Sequence, residues 1–78
     1  MTNNSIKYYE DEMIDNIIKE IIQTRKKLKL SQTELARKSG LPQATISRLE
    51  SFNNEPKIST IIKVCKTLNL TIYCKNIN

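Results

Sequence analysis

The chain has 78 residues, 38% of them hydrophobic, no histidine and a formal net charge of +5, which predicts one small domain rather than a disordered or membrane-embedded chain. No apolar run approaches the roughly 18 residues of a spanning helix, and the opening MTNNSIKYYEDEM lacks the apolar core of a signal peptide, so we expect a cytoplasmic protein without a membrane partner. The chain has no histidine, no Gly-rich phosphate loop and no cysteine near a base. We therefore expect that the protein is not an enzyme and that it holds no metal ion or cofactor.

Charge is unevenly distributed along the chain. Residues 1–16 carry one lysine against four acidic side chains, a balance of −3, whereas residues 17–78 carry twelve basic side chains against four acidic ones, a balance of +8. An excess of that size suits a polyanionic partner, but solubility explains it equally well. Charge alone therefore leaves the partner open.

The first predicted helix covers about 10–28 and follows an N-terminal arm at 1–9. Its apolar side chains recur at helical spacing, and charged residues such as Lys19 and Glu20 lie off that stripe. The stripe consists of Met13, Ile14, Ile17, Ile18, Ile21, Ile22 and Leu28. The segment IIKEII has strand-like composition, but the sustained period favours a helix.

The next two predicted helices are short and joined by the only glycine of the chain. SQTE, starting at Ser31, is a capping box for a helix that ends near Ser39, and Gly40 supplies the left-handed residue that follows. A third helix is predicted over about 42–51, since Pro42 suits a first helical turn. Two short helices joined by a tight glycine turn form a helix-turn-helix.

The side chains of these two helices fit the steric demands of that motif. Ala36 is small where the next helix crosses close to it, and Ile46 fills the gap between the helices. Leu49 joins Ile46 on the inner side of the third helix. The combination is much more specific than any one of its features.

A loop over SFNNEPK separates this motif from a fourth predicted helix at about 59–68. Five side chains are expected to face inward from it: Ile58, Ile61, Ile62, Cys65 and Leu68. The tail LTIYCK then alternates Leu70, Ile72 and Cys74 with polar residues, which is typical of a half-buried strand.

A single strand needs a partner for its backbone groups. SIKYY is a weak candidate for that partner within the chain. The simpler prediction is pairing with the same strand of a second copy, so we expect a homodimer joined through residues 70–78. Cys65 and Cys74 lack CxxC spacing, so we expect two reduced thiols.

Together these features resemble the phage-repressor-like (xenobiotic-response-element type) helix-turn-helix domains. The resemblance covers about Ile22 to Leu70 and rests on Arg25, on LSQTELARKSGLPQATISRLE at 30–50 and on ISTIIKVCKTLNL at 58–70. It implies an all-α fold, a small four- to five-helix bundle over 10–69, here followed by a short C-terminal β-strand. Such domains bind operator DNA as dimers.

The resemblance also implies that the third helix lies in the major groove, with base contacts from Gln43, Ala44 and Arg48. The helical spacing agrees with this assignment, because it places these residues and Ser47 on the face opposite the inner side of the helix. Gln43 can pair with adenine and Arg48 with guanine, and the Ala44 methyl can meet a thymine methyl. The alternative is that these are ordinary exposed residues.

Contacts to the DNA backbone are expected around this helix. Gln32 begins the second helix, where backbone amides and the positive dipole end meet a phosphate, and the resemblance implies that it also supports Gln43. Further phosphate contacts are expected from Thr45, Ser47, Asn54 and Lys57, with Asn53 a weaker candidate. Phe52 stands where the family often has glycine, and it either fills a core gap or forms an exposed contact.

The resemblance assigns a structural role to one charged pair. It implies a salt bridge between Arg25, on the apolar stripe of the first helix, and Glu50, at the end of the third. With Ala36, Gly40 and Ile46, this pair would hold the motif together. The alternative is that both side chains lie on a shared exposed surface.

We therefore predict a sequence-specific double-stranded DNA-binding transcriptional regulator, acting as a repressor on a palindromic operator. The short strand after the last helix looks like the small antitoxins of host-inhibition and hip-type toxin–antitoxin pairs, which bind their own promoter and neutralise a toxin. The acidic segment with Tyr8, Tyr9 and Met13 then either binds a basic toxin or forms a solvated arm with an aromatic on the core. Alternatives are a phage or plasmid repressor, a restriction-modification controller without a toxin, and a protein-interaction module.

Overall fold

A computed structural model of the chain describes residues 3–52 and 55–76, with side chains described from residue 11 onward within these ranges. It contains four helices: α1 (Asn3–Lys27), α2 (Gln32–Ser39), α3 (Gln43–Glu50) and α4 (Ile58–Thr67). The predicted all-α bundle is therefore confirmed. No helix in the described part of the chain is long and apolar enough to cross a bilayer.

The first helix is longer than the sequence predicted. It begins at Asn3, so residues 3–9, which were predicted to be an arm, belong to α1, and SIKYY is helical rather than a strand. Once a helix has nucleated, each added residue gains a hydrogen bond, and no glycine or proline interrupts this segment. Twenty-five residues span about 37 Å, and the molecule accordingly measures 43 × 26 × 21 Å.

All four helices contribute to one hydrophobic core, and α2 contacts both α3 and α4. Each fully buried aliphatic side chain stabilises the fold by about 1.5–3 kcal/mol. Part of the predicted stripe of α1 is outside this core, since Met13 and Leu28 are about half exposed. The buried residues are Ile18, Ile21, Leu35, Ala36, Ile46, Leu49, Ile61, Val64, Cys65 and Leu68.

The inward face of α4 differs from the prediction at two positions. Ile58 and Ile62 were expected to face inward but are 63% and 52% exposed, whereas Val64 is fully buried. Ile61, Val64, Cys65 and Leu68 already follow the i, i+3, i+4, i+7 rule and fill the face toward α2. Ile58 and Ile62 lie one turn apart along the flank of that face.

Each of the four helices is followed by a residue with left-handed backbone conformation. Gly40 has φ 70°, as predicted, and Lys29, Phe52 and Asn69 adopt φ 60°, 63° and 61° after α1, α3 and α4. After α1, α2 and α4 the same pair of hydrogen bonds closes the helix: Leu30 N donates to Arg25 O, Leu41 N to Ala36 O, and Leu70 N to Cys65 O, each with a second bond from the preceding amide. This is the Schellman motif, and the sequence signalled only the glycine version.

The predicted C-terminal strand is not formed within the single chain. Residues 70–76 follow α4 without regular structure, and the described ranges contain no strand to pair with them. Leu70 packs against the core, whereas Ile72 and Cys74 are exposed. Pairing across a dimer axis stays a prediction.

Candidate nucleic-acid interface

The turn between α2 and α3 is built by the residues that the sequence singled out. The Ser31 hydroxyl accepts from the Glu34 amide at 3.0 Å, and the Ser31 amide donates to the Glu34 carboxylate at 2.9 Å, so the capping box is confirmed. At the other end of α2, Gly40 reverses the chain and Leu41 N donates to Ala36 O at 2.9 Å. Both ends of α2 are therefore capped, whereas α3 begins after Pro42 without a side-chain cap.

The capping box also perturbs one carboxyl group. Hydrogen bonds from the Ser31 amide and hydroxyl hold the pKa of Glu34 below its ordinary value of 4.5, and Arg37 and Lys38 contribute in the same direction. These contacts favour the charged carboxylate over its protonated form. The negative charge of Glu34 thus lies in the first turn of α2, where it complements the helix dipole.

The outer face of α3 is polar and open to solvent. Gln43, Ala44, Ser47 and Arg48 are exposed, and Thr45 is half-buried. On the opposite side, Ile46 is fully buried and Leu49 is 4% exposed. The structure thus presents the three predicted base-contacting residues together on one accessible face of an eight-residue helix.

The predicted ion pair between Arg25 and Glu50 is present and joins α1 to the last residue of α3. Arg25 Nε lies 2.7 Å from Glu50 Oε2, and Arg25 Nη2 donates to Glu50 Oε1 at 2.8 Å. Arg25 Nη1 also donates to the carbonyl oxygen of Leu30 at 2.8 Å. The two side chains are only 11% and 5% exposed, so this is a buried, two-pronged pair rather than a shared surface feature.

Gln32 joins the ion pair between Arg25 and Glu50. Its Nε2 donates to Glu50 Oε1 at 2.9 Å, and no hydrogen bond joins it to Gln43 in the described part of the chain. The expected support of Gln43 and the phosphate contact of Gln32 stay predictions for the DNA-bound protein. Glu50 consequently ties α1, α2 and α3 together.

A hollow of about 260 Å³ lies beside α3. Thr45, Arg48 and Leu49 line it from α3, Lys57 and Thr60 from the start of α4, and Glu55 and Pro56 from the loop between them. The predicted phosphate contacts Thr45 and Lys57 thus share one surface with Arg48. Asn53 and Asn54, also predicted contacts, lie outside the described residues.

Phe52 and the two cysteines differ in their exposure to solvent. Phe52 does not fill a core gap: it is 42% exposed, with φ 63°. Cys65 is buried and desolvation raises the pKa of its thiol, whereas Cys74 is exposed. Within the described ranges, no group of three His, Cys, Asp or Glu side chains is arranged to hold a metal ion.

Comparison with known proteins agrees with this geometry. A family model described as "Helix-turn-helix" matches residues 21–73, which include α2, the Gly40 turn and α3. The chain belongs to the helix-turn-helix family. This membership confirms the family resemblance that the sequence predicted from the same residues.

Two curated relatives are similar to this member of the family. One, from Haemophilus influenzae, is named an uncharacterized HTH-type transcriptional regulator and is 36% identical over 56 residues, 72% of this chain and 57% of that protein. The other, HTH-type transcriptional regulator y4dL from Sinorhizobium fredii, is 34% identical over 58 residues, 74% of this chain and 30% of that protein. The chain thus spans between about a third and three fifths of these relatives. No solved structure matches it.

Proposed function

We propose that this protein is a sequence-specific double-stranded DNA-binding transcriptional regulator that acts as a repressor. The observation that carries the proposal is the accessible face of α3, whose polar side chains are opposite the buried Ile46 and Leu49. A helix of this width fits the major groove, where the Gln43 amide can donate to N7 and accept from N6 of adenine and Arg48 can donate to O6 and N7 of guanine. The names of both relatives support a regulatory role.

Backbone contacts would fix the docking of α3. Lys57, Thr45 and Ser47 flank Arg48 and are available to phosphates, and Gln32 begins α2, where free amides favour an anion. The positive balance of +8 over residues 17–78 supports a polyanionic partner. Binding through such contacts should weaken linearly with salt on a log–log scale.

We further propose that the regulator binds as a homodimer on a palindromic operator, paired through residues 70–78. Ile72 and Cys74 are exposed, and residues 71–75 form no strand in the described chain, so antiparallel pairing with a second copy would give their backbone groups hydrogen-bond partners. Self-pairing of antiparallel strands obeys two-fold symmetry. Half-sites about 34–36 Å apart would then match two recognition helices.

The antitoxin role is a second candidate, supported by the charge of α1. Asp11 and Glu12 of this helix are exposed and lie within a segment of balance −3. A basic toxin would be a complementary partner for this acidic helix. Co-purification with the product of the adjacent gene tests the idea, and a chain that binds no such product acts as a repressor or controller without a toxin.

The experiment that tests the main proposal is DNase footprinting combined with a salt titration. Protection of a palindrome upstream of the protein's own gene, with affinity falling log-linearly with salt, is the expected result. Salt-independent binding to duplex DNA, or none, would instead favour a protein-interaction module that uses α3 on a protein groove.

A further inference from the structure

One flank of α4 is apolar and exposed in the described chain. Ile58 and Ile62 are 63% and 52% exposed, although isoleucine is among the residue types most often buried. They are four residues apart, so their side chains are neighbours on the same side of the helix. The opposite side of α4, which includes Ile61 and Val64, already fills the core, so turning the helix would bury one pair only by exposing the other.

The C-terminal tail continues this apolar flank. Leu70 N donates to Cys65 O at 2.7 Å and the Leu70 side chain packs against the core, so the tail starts from a fixed position beside α4. Ile62, Leu70 and Ile72 line one hollow of about 430 Å³, and Ile72 is 39% exposed. Ile58, Ile62, Leu70 and Ile72 together form one surface, the apolar strip. Contiguous exposed apolar surface of this kind marks a site of interaction, whereas isolated exposed side chains need no explanation.

Pairing of two tails would by itself give a small interface. The described tail consists of residues 70–76, whereas a stable protein–protein interface uses roughly 20–30 residues and about 800 Å² from each partner. Two paired strands alone are marginally stable in water, and they become stable when they pack on a helix. On this surface the helix is α4, because Ile62 lines the same hollow as Ile72 of the tail. The area that the tails lack is therefore available on the apolar strip.

We propose that the apolar strip is the second part of the homodimer interface and packs against the same strip of a second copy. The inference rests on the proposed function, specifically on antiparallel pairing of the tails. The two-fold axis of such a pair is perpendicular to it, so the inner faces of both tails point to the same side. Each tail starts at the end of its own α4, and the two α4 helices therefore lie together on that side. Ile58 and Ile62 of both copies then cover the paired tails.

The test measures the dimer dissociation constant by sedimentation equilibrium for the wild type and three variants. Ile58→Gln and Ile62→Gln each make the strip more polar, and glutamine is the better helix former, so α4 itself is not weakened. Leu28→Gln is the matched control, because Leu28 has the same 52% exposure as Ile62 and is not among the residues that line the hollow. Circular dichroism of each variant measures its helix content.

We expect Ile58→Gln and Ile62→Gln each to raise the dimer dissociation constant about tenfold to a hundredfold, because the apolar side chain is lost from both copies at once. Leu28→Gln should dimerise like the wild type. Dimerisation of the wild type should not weaken as salt rises, because the strip is apolar and salt screens the repulsion between two copies of net charge +5. All variants should keep wild-type affinity for a duplex that carries one half-site, because α3 is unchanged.

A second measurement detects the contact in the wild type directly. In a mixture of ¹³C-labelled and unlabelled copies, isotope-filtered NOE spectra should connect methyl protons of Ile62 in one copy with Ile62 or Ile72 in the other. This readout decides the inference even where a glutamine variant loses its helix content.

Several results would overturn the inference. An Ile62→Gln dimer as tight as the wild type, or filtered spectra without contacts to Ile62, would leave a homodimer that does not use the strip. Equal weakening in Leu28→Gln would mean that the effect is not specific to the strip, and dissociation by salt would point to a charged interface instead. A wild type that is monomeric at every concentration is a different result, since it removes the proposed homodimer itself. A dimer of the wild type that binds no duplex would remove the regulatory function and leave the strip in place.

Discussion

Arg25 and Glu50 are 25 residues apart in sequence, yet two Arg25 nitrogens meet the two Glu50 oxygens at 2.7 and 2.8 Å. Because Gln32 donates to the same carboxylate, Glu50 fixes the end of α3 against both α1 and α2. The helix α3 has only eight residues, too short to be stable alone. Its orientation therefore depends on this network as well as on Ile46 and Leu49.

Removing the carboxylate of Glu50 should destabilise the whole fold. Glu50→Ala leaves the Arg25 guanidinium buried without its partner, which costs about 3–5 kcal/mol of the free energy of unfolding. Urea unfolding followed by circular dichroism at 222 nm measures the loss, with the exposed Glu20→Ala as the control. A Glu50→Ala variant as stable as Glu20→Ala would mean that the pair contributes little.

The left-handed caps predict opposite effects at Lys29 and Gly40. Lys29→Gly relieves a penalty of about 1–2 kcal/mol and should stabilise the protein, whereas Gly40→Ala introduces a similar penalty. A Cβ at Gly40 would meet no heavy atom within 4 Å, so the loss of stability in Gly40→Ala comes from backbone strain alone. Gly40→Val should lose more stability, because the valine side chain is β-branched. Thermal unfolding of the variants measures the effects, and equal Tm values for all would contradict this account.

The capping box predicts a pH dependence of stability. The pKa of Glu34 is lower in the folded chain than its ordinary 4.5, so its contribution is present above that value and is lost as pH falls through the folded pKa. Glu34→Gln keeps a hydrogen-bonding group but does not titrate. The Tm advantage of the wild type over Glu34→Gln should therefore shrink on acidification below about pH 4. A constant difference across that range would rule out the linkage.

The two thiols should react very differently with an alkylating reagent. Cys65 is 4% exposed and burial raises its pKa, so both access and thiolate fraction are low, whereas Cys74 is exposed. Iodoacetamide followed by peptide mass spectrometry should label Cys74 in the native protein and Cys65 only after addition of denaturant. Equal labelling rates in the native state would show that α4 opens far more readily than its packing indicates.

Local signals along the chain predicted the helix-turn-helix, whereas the remaining features of the fold and of the site depend on contacts between residues distant in sequence. The capping box at Ser31, the turn at Gly40 and the inner side chains of α3 were predictable because each depends on neighbouring residues. The left-handed Lys29 was not, since lysine carries no preference for that conformation. The bond from Gln32 to Glu50 depends on how three helices meet, and the exposure of Ile58 and Ile62 depends on which face of α4 was already filled.

The outer face of α3 is proposed to read DNA, and the base-pair specificity of Arg48→Ala tests this most directly. The variant is compared with Arg37→Ala, an exposed arginine of α2, on duplexes carrying every single-base-pair change in the site that the wild type protects in footprinting. We predict that Arg48→Ala loses about 1–3 kcal/mol of discrimination at one position per half-site, while Arg37→Ala keeps the wild-type pattern. An Arg48→Ala protein that retains the full specificity pattern of the wild type would contradict the account.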